Sequence, residues 1–383
     1  MSRLDKLPPY LFTEIDRAKR EAVAAGRDVI DLGIGDPDLP TPGPLLDVMS
    51  AAVRRAANHR YPDNRGAPAF REAVAAWLDR RQGVDVDPQT QVLALIGSKE
   101  GLAHLPLALL AEGEGVLVPD IGYPVYAAAT LLAGGLPAPY RLRLARAFLP
   151  DPAEIEELAD ARTRLLLVNS PHNPTGAVAS AADFAALLAV GERTGLVVAN
   201  DAAYREVVLS GAPAAGLLQV ADLDRDRVIE FHSFSKMFNM TGWRIGFAVG
   251  HAEVISALGR VKQNIDSGAF TAVQETAIFA LSESGDELMP SVMRPYARRR
   301  EVIAASLAAA GLEVFDARAT FYVWARVPAG EDSFSFCRRV LAERDIVVTP
   351  GTGFGGGGEG WFRISLTSAD DRIDEAAARL RRL

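Results

Sequence analysis

At 383 residues, 49% of them apolar and 23% charged, the chain has enough apolar content for a large core and the length of two domains. Its net charge of −8, with no long basic run, argues against a nucleic-acid partner, and no stretch of about 18 uninterrupted apolar residues is present to cross a membrane. The single cysteine, Cys337, excludes an intrachain disulfide, and the scattered histidines offer no metal-binding pair, so no metal is expected.

The N-terminus, Met1-Ser-Arg-Leu-Asp-Lys-Leu-Pro-Pro9, has acidic and proline interruptions and no apolar signal region, so a cytoplasmic location is expected. Val92–Ile96 reads as a strand, after which Gly97-Ser98-Lys99 opens a helix to about Leu110. A strand, a small-residue turn and a helix N-terminus leave free backbone N–H groups that suit a phosphate. Gly115–Pro119 is the next strand, and others are expected at 165–169, 196–201, 228–233 and 243–249, with helical patterns between them such as Ala181–Arg193. This alternation predicts an α/β fold with a mainly parallel sheet between helices. From about Gly285 the pattern changes. An arginine-rich helix (Arg294, Arg298, Arg299, Arg300), expected to be a solvated face, leads to Leu312–Phe315. Strands at Thr320–Ala325 and Trp361–Leu366 then flank a helix near 333–344, which makes a smaller α+β unit. The expected division is a large domain at 46–284, a small domain at 285–383, and an N-terminal segment, 1–45, that packs with the small one. The glycine run Gly351-Thr-Gly-Phe-Gly-Gly-Gly-Gly358 fits neither a dinucleotide fingerprint nor a P-loop, and reads as a loop delivering the strand that carries Arg363.

One segment carries the most chemistry: Ser233-Phe-Ser-Lys236, followed eight residues later by Arg244. A lysine that condenses with an aldehyde needs an unprotonated amine, and pyridoxal phosphate (PLP) is an aldehyde whose phosphate needs hydroxyl and guanidinium donors. Ser233, Ser235 and Arg244 meet that need. Two upstream clusters follow apolar strands: Asn169-Ser-Pro-His-Asn173-Pro-Thr-Gly176 and Asp201-Ala-Ala-Tyr204. They therefore fall at strand ends, where open α/β sheets bind ligands. Asp201 is a fitting partner for a pyridine nitrogen, while Asn173 and Tyr204 are fitting donors for the phenolic oxygen.

This ordered set resembles the class I/II aminotransferases of PLP fold type I, from Asp31-Leu-Gly-Ile-Gly35-Asp-Pro-Asp38 to Phe362-Arg363-Ile-Ser365. The resemblance implies that Lys236 holds PLP and later moves the proton. It makes Lys236, Asp201 and Tyr204 the catalytic set. It implies that Gly97, Ser98, Lys99, Ser233, Ser235 and Arg244 surround the phosphate and that Tyr123 stacks on the ring. Gly35, Asn173 and Arg363 are implied as substrate contacts, with Arg363 gripping the α-carboxylate. Tyr61 resembles a tyrosine that reaches the cofactor phosphate of a neighbouring subunit, which implies a homodimer with shared sites. The implied substrates are small amino acids and 2-oxo acids, with glutamate/2-oxoglutarate as one pair.

Val261–Glu275 and Phe238–Arg244 resemble the corresponding stretches of bacterial LL-diaminopimelate aminotransferases, which implies work in lysine biosynthesis. The turn Pro62-Asp63-Asn64-Arg65 departs from members that carry a glutamate there, a residue expected to meet the substrate's distal ammonium. An alanine, aspartate or aromatic aminotransferase, or a PLP-dependent carbon–sulfur β-lyase, is the alternative. Asn264, Asp266 and Ser267 read equally as a substrate loop or as a capped turn before the helix at 270–282.

Overall fold

The computed structural model describes residues 3–7 and 13–383. In chain order the elements are α1 (Thr13–Ala24), β1 (Ile30–Asp31), α2 (Gly43–Ala52), α3 (Pro68–Gln82), β2 (Val92–Leu95), α4 (Ser98–Leu109), β3 (Gly115–Pro119), α5 (Val125–Leu132) and β4 (Leu136–Tyr140). Then come α6 (Pro152–Leu158), β5 (Thr163–Asn169), α7 (Ala181–Thr194), β6 (Val197–Asp201), β7 (Val228–Ser233), α8 (Phe234–Met237), β8 (Gly246–Gly250), α9 (Ala252–Lys262) and α10 (Thr271–Ala280). The last stretch holds α11 (Glu283–Ala309), β9 (Tyr322–Arg326), α12 (Ser333–Arg344), β10 (Ile346–Val347), β11 (Thr349–Pro350), β12 (Trp361–Ser365) and α13 (Asp370–Leu380).

The central sheet has seven strands in the order β2-β8-β7-β6-β5-β3-β4. It is mainly parallel, and β8 runs against both of its neighbours. Its inner strands are largely apolar because helices cover both faces, and β7 departs from this with Glu230 and His232, which are fully buried and paired at 3.0 Å. Leu166, Val168, Val198 and Val228 point into one core with Trp77 of α3 and Phe184 of α7. Leu165, Leu167, Val197 and Ile229 point into the other with Leu105 of α4 and Leu258 of α9. The architecture is α/β, with a mainly parallel sheet sandwiched between helices, as the alternation of elements predicts.

A third core joins β9 and β12 to α11, α12 and α13 through Ile303, Phe336, Phe362 and Ile373. Ile15, Ile30 and Leu32 from the N-terminal stretch are buried in this same core, and β1 pairs in parallel with β10. Helix α11 touches two cores: Met289 packs with the first, Val292 and Tyr296 with the third.

The arginine cluster of α11 is not uniformly a solvated face. Arg298 is exposed and Arg300 partly so, but Arg299 is only 1% exposed at its side chain. It donates to Asp38 at 2.7 Å, to Asp370 at 2.6 Å and to the Leu366 carbonyl at 3.0 Å. The reason is helical phase: position 299 is three residues after Tyr296 and four before Ile303, both fully buried, so it shares their inward stripe. Buried guanidinium is tolerated because three acceptors surround it.

The glycine run does lead into β12, as expected. It folds as two short 3₁₀ turns, Gly351–Phe354 and Gly356–Gly358, joined at Gly355 with φ +123°. It is pinned to the loop after β3: Gly122 N donates to Phe354 O at 2.8 Å and Gly357 N to Asp120 O at 3.3 Å. A Cβ at Gly355 or Gly357 would run into Asp120, so side chains are excluded there.

Candidate active site

The carboxyl ends of β5, β6 and β7 lie side by side, with Asn169 opposite Asp201 and Asp201 opposite Phe231. They open into a cavity of about 990 Å³ that also reaches α4, α5, β12 and Ile15 and Asp16 of α1. Of the expected site residues, Gly35, Ser98, Lys99, Tyr123, Asn173, Asp201, Tyr204, Ser233, Ser235, Lys236, Arg244 and Arg363 all line it. Gly97 sits directly behind, at the cap of α4.

Asp201 is buried at the end of β6. Its carboxylate accepts from the Tyr126 hydroxyl at 2.7 Å and from Ala203 N at 3.2 Å. Burial still pushes its pKa above the ordinary carboxylate value, against the lowering effect of those bonds. Asn169 locks the neighbouring loop. Its amide donates to Asp201 O at 2.7 Å and to Pro171 O at 3.1 Å, and its oxygen accepts from Asn173 N at 2.8 Å.

Lys236 stands on the single turn α8, whose start is capped by Ser233 accepting from Ser235 N at 3.3 Å. Its Nζ donates to Gly35 O at 3.3 Å and lies 5.5 Å from the Phe321 ring centre and 6.0 Å from that of Tyr204. Burial is the main reason its pKa falls to about 8; Arg244 and Arg363 push the same way, while Asp36 and Asp201 oppose.

At the other end, Gly97 has φ +92°, and a Cβ there would collide with the Arg244 guanidinium. Arg244 itself takes a left-handed conformation, φ +55°, and donates to Thr241 O at 2.7 Å. Its guanidinium therefore lies against the N-terminus of α4, on the same side as Ser98, Ser233 and Ser235. Lys99 is exposed, with Nζ 5.7 Å above the Tyr123 ring. The α4 N-terminus, the serines and Arg244 offer N–H, hydroxyl and guanidinium donors suited to a phosphate, and the same cavity holds the buried Asp201 carboxylate, the Tyr123 ring and a lysine of lowered pKa. This donor set fits PLP.

Arg363 projects from β12 between two rings, its guanidinium carbon 4.1 Å from the Tyr322 ring centre and 4.6 Å from that of Phe354. It donates to Asn173 Oδ1 at 3.0 Å and to Gly33 O at 2.7 Å. The Tyr204 and Tyr322 hydroxyls share a hydrogen bond of 2.8 Å.

Tyr61 is elsewhere. It is 91% exposed and does not line this cavity. Asn264, Asp266 and Ser267 are also outside it; Asp266 accepts from Gly268 N at 2.7 Å and Asn264 donates to Arg260 O at 2.7 Å, so these two brace the turn after α9, while α10 starts after Phe270 with no side-chain cap. Glu100, His104 and Asp266 come close enough together to suggest a cation site. The cation there is the Lys262 ammonium, 2.8 Å from Asp266 and 3.3 Å from Glu100.

Sequence reasoning missed Tyr126, Tyr322, Asn169 and Phe354. Tyr126 had a usable signal, since it follows Tyr123 by about one helical turn and the two rings meet edge to face at 6.0 Å. Tyr322 had none, because its partners Tyr204 and Arg363 are far off in the chain, whereas Phe354 lies in the glycine run just before the Arg363 strand.

The family model described as "Aminotransferase class I and II" matches residues 27–380. LL-diaminopimelate aminotransferase of Desulforudis audaxviator (strain MP104C) is 48% identical over 379 residues, 99% of this chain and 96% of that protein. The enzyme of the same name from Aquifex aeolicus (strain VF5) is 45% identical over 100% of this chain and 98% of its own. Among solved structures, a double mutant of Thermus thermophilus aspartate aminotransferase superposes with a TM-score of 0.93 at 27% identity, covering 100% of this chain and 98% of that one.

Proposed function

Because the chain belongs to the class I and II aminotransferases and works with pyridoxal phosphate, we propose that its own amino-group exchange joins LL-diaminopimelate and its cyclic 2-oxo counterpart, tetrahydrodipicolinate, to glutamate/2-oxoglutarate. The observation that carries this reading is the 48% identity to an LL-diaminopimelate aminotransferase across nearly the whole of both chains.

PLP, when bound, supplies an aldehyde that condenses with amines and a ring that takes up electron density. The residues of this chain would do the rest. The Asp201 carboxylate holds the ring nitrogen in its charged form, and Tyr126 and Ala203 N fix that carboxylate's direction. Ser98, Ser233, Ser235 and Arg244 anchor the phosphate, with the Gly97–Lys99 backbone. Tyr123 covers the ring, and Asn173 and Tyr204 donate to the phenolic oxygen. Arg363 takes the α-carboxylate with a planar fork beside Gly35. Lys236 would hold the cofactor through Nζ and, as a free amine, would carry the α-proton, a task that its pKa of about 8 suits near neutrality.

A purified holoenzyme mixed with single amino acids tests the substrate. LL-diaminopimelate is expected to bleach the cofactor's visible band faster than alanine, aspartate or phenylalanine, by about tenfold or more in kcat/KM. A faster reaction with aspartate or phenylalanine would reject the proposal in favour of the second reading. That reading is favoured by the Pro62–Arg65 turn, where Arg65 adds a positive charge in place of a carboxylate.

The same proposal includes a two-fold homodimer with shared sites, a division into domains 46–284 and 285–383 with 1–45 on the latter, and a cytoplasmic location. Tyr61 supports the dimer: it is a fully presented aromatic close to other exposed apolar groups, since Gly268 packs on Pro62 while Ile265 is 56% and Phe270 38% exposed. Aromatic residues at such density favour an interface. A Lys236→Ala chain mixed with a Tyr61→Ala/Arg65→Ala chain is expected to regain activity, toward about a quarter of wild type if chains pair at random. No recovery despite demonstrated subunit exchange would remove Tyr61 from the neighbouring site.

A further inference from the structure

We propose that Tyr322 couples substrate binding to the cofactor: its ring is the platform that orients Arg363, and its hydroxyl sets how strongly Tyr204 donates to the cofactor's phenolic oxygen. This rests on the roles of Arg363 and Tyr204 given above and extends them to a residue that neither motif contains.

The platform follows from sheet register. β9 and β12 are antiparallel, with Trp324 opposite Arg363 and Tyr322 opposite Ser365. Side chains two residues apart share a face, so Tyr322 is the diagonal neighbour of Arg363, within reach of an aromatic ring. The guanidinium carbon lies 4.1 Å from the centre of that ring and 4.6 Å from that of Phe354, so the two rings restrict where the arginine can lie. Asn173 and Gly33 then fix its rotation there.

The hydroxyl sits where the site is tightest. A Cβ on Gly35 would overlap it, and the carbonyl of Gly35 is the acceptor for Lys236 Nζ. Burial keeps both phenols protonated, raising each above the ordinary value. A pair of hydroxyls holds one proton between its oxygens and one proton free. If Tyr322 donates to Tyr204, the Tyr204 proton is free for the phenolic oxygen; in the reverse order it is not. The charge of Arg363 over the Tyr322 ring makes that phenol the better donor, so it favours the first order. A substrate carboxylate on Arg363 offsets this charge and weakens the bias. The other groups acting on this corner are Asp36, Tyr123, Asp201, Arg244 and Lys236 itself, and none shares a hydrogen bond with either phenol.

Two variants of the holoenzyme separate the two claims. With succinate as a carboxylate probe that carries no amine, Tyr322→Leu is expected to raise Kd about tenfold, and Tyr322→Phe, which keeps the ring, less than about twofold. In a pH titration of the bound cofactor's visible band, Tyr322→Phe is expected to raise the midpoint by about half a unit, because a weaker donor leaves more negative charge beside the Lys236 nitrogen. Tyr204→Phe should raise it further, and adding Tyr322→Phe to Tyr204→Phe should add nothing. An unchanged succinate Kd in Tyr322→Leu overturns the platform. A midpoint in Tyr322→Phe that stays put or falls, or a full second shift in the double variant, overturns the hydroxyl coupling. Arg363→Lys is the control: if it leaves succinate binding intact, the assignment of Arg363 itself is wrong; if it weakens binding while Tyr322→Leu does not, only the present inference falls.

Discussion

Lys236→Ala is expected to abolish turnover, by at least about four orders of magnitude, while the fold and a loose hold on the cofactor persist. The size of the effect comes from doing two tasks with one atom. Nζ must be neutral to condense with an aldehyde, and neutral again to accept the α-proton. With its pKa at about 8, roughly a tenth of the amine is neutral at pH 7, against about three in ten thousand for an ordinary lysine. That gain of about 300-fold comes mainly from burial, and alanine cannot reproduce it. Ser98, Ser233, Ser235 and Arg244, the anchors proposed for the phosphate, are untouched, so binding of PLP should weaken without vanishing. Absorbance of the cofactor, and borohydride fixation to the protein, report the attachment; single-turnover kinetics report the chemistry. Wild-type cofactor capture should rise with pH through about 8, as the neutral fraction grows. A variant with near-normal turnover would dismiss Lys236 from its role.

Asp201→Asn should lose about 10- to 150-fold in the half-reaction rate, the equivalent of about 1.5–3 kcal/mol for a charge-assisted bond, before any larger effect in the transition state is added. The amide keeps shape but cannot hold a ring nitrogen positive. Stability should behave differently. In the protein without cofactor the folded pKa of Asp201 is raised, so the native state binds more protons than the unfolded one. This contribution is neutral at pH below the unfolded value and becomes a loss as pH rises through the shifted one. An amide at this position carries no such loss, so the cofactor-free variant should be at least as stable as wild type at neutral pH by thermal or urea unfolding. Half-reaction rates within about threefold of wild type would remove Asp201 as the ring partner.

The parts of this site that were legible in the sequence are those written in local patterns. Asn173 and Asp201 each follow an apolar run within a few residues and Lys236 follows the expected strand 228–233, so strand ends and polar clusters could be read together. Their convergence on one cavity follows from neighbouring parallel strands, β5, β6 and β7, whose carboxyl ends point the same way. The direction of β8 was not legible, because alternation of side chains is the same for both directions. β4 was missed altogether: Leu136-Pro-Ala-Pro-Tyr140 contains two prolines, which weaken any strand reading, and only its place at the sheet edge makes them tolerable. Arg299 was misread because four arginines in seven positions look like a surface, whereas helical phase sends one of them inward. Tyr322 could be recognised as a strand residue but not as the neighbour of Tyr204 and Arg363, since those contacts join positions 118 and 41 residues away.

Anyone who redesigns this enzyme by exchanging surface loops should leave 351–358 alone. Sequence alone marks it as an ideal graft site, short, glycine-rich and between strands. In the folded protein it is a keyed joint: Gly355 and Gly357 mesh with Asp120, Gly351 with Gly358, and Phe354 reaches from the same turn to the face of Arg363. An insertion or an alanine there would shift the arginine's support before it altered anything a substrate side chain could touch. The cost would appear for every amino acid alike, as a catalyst made weaker and no more selective.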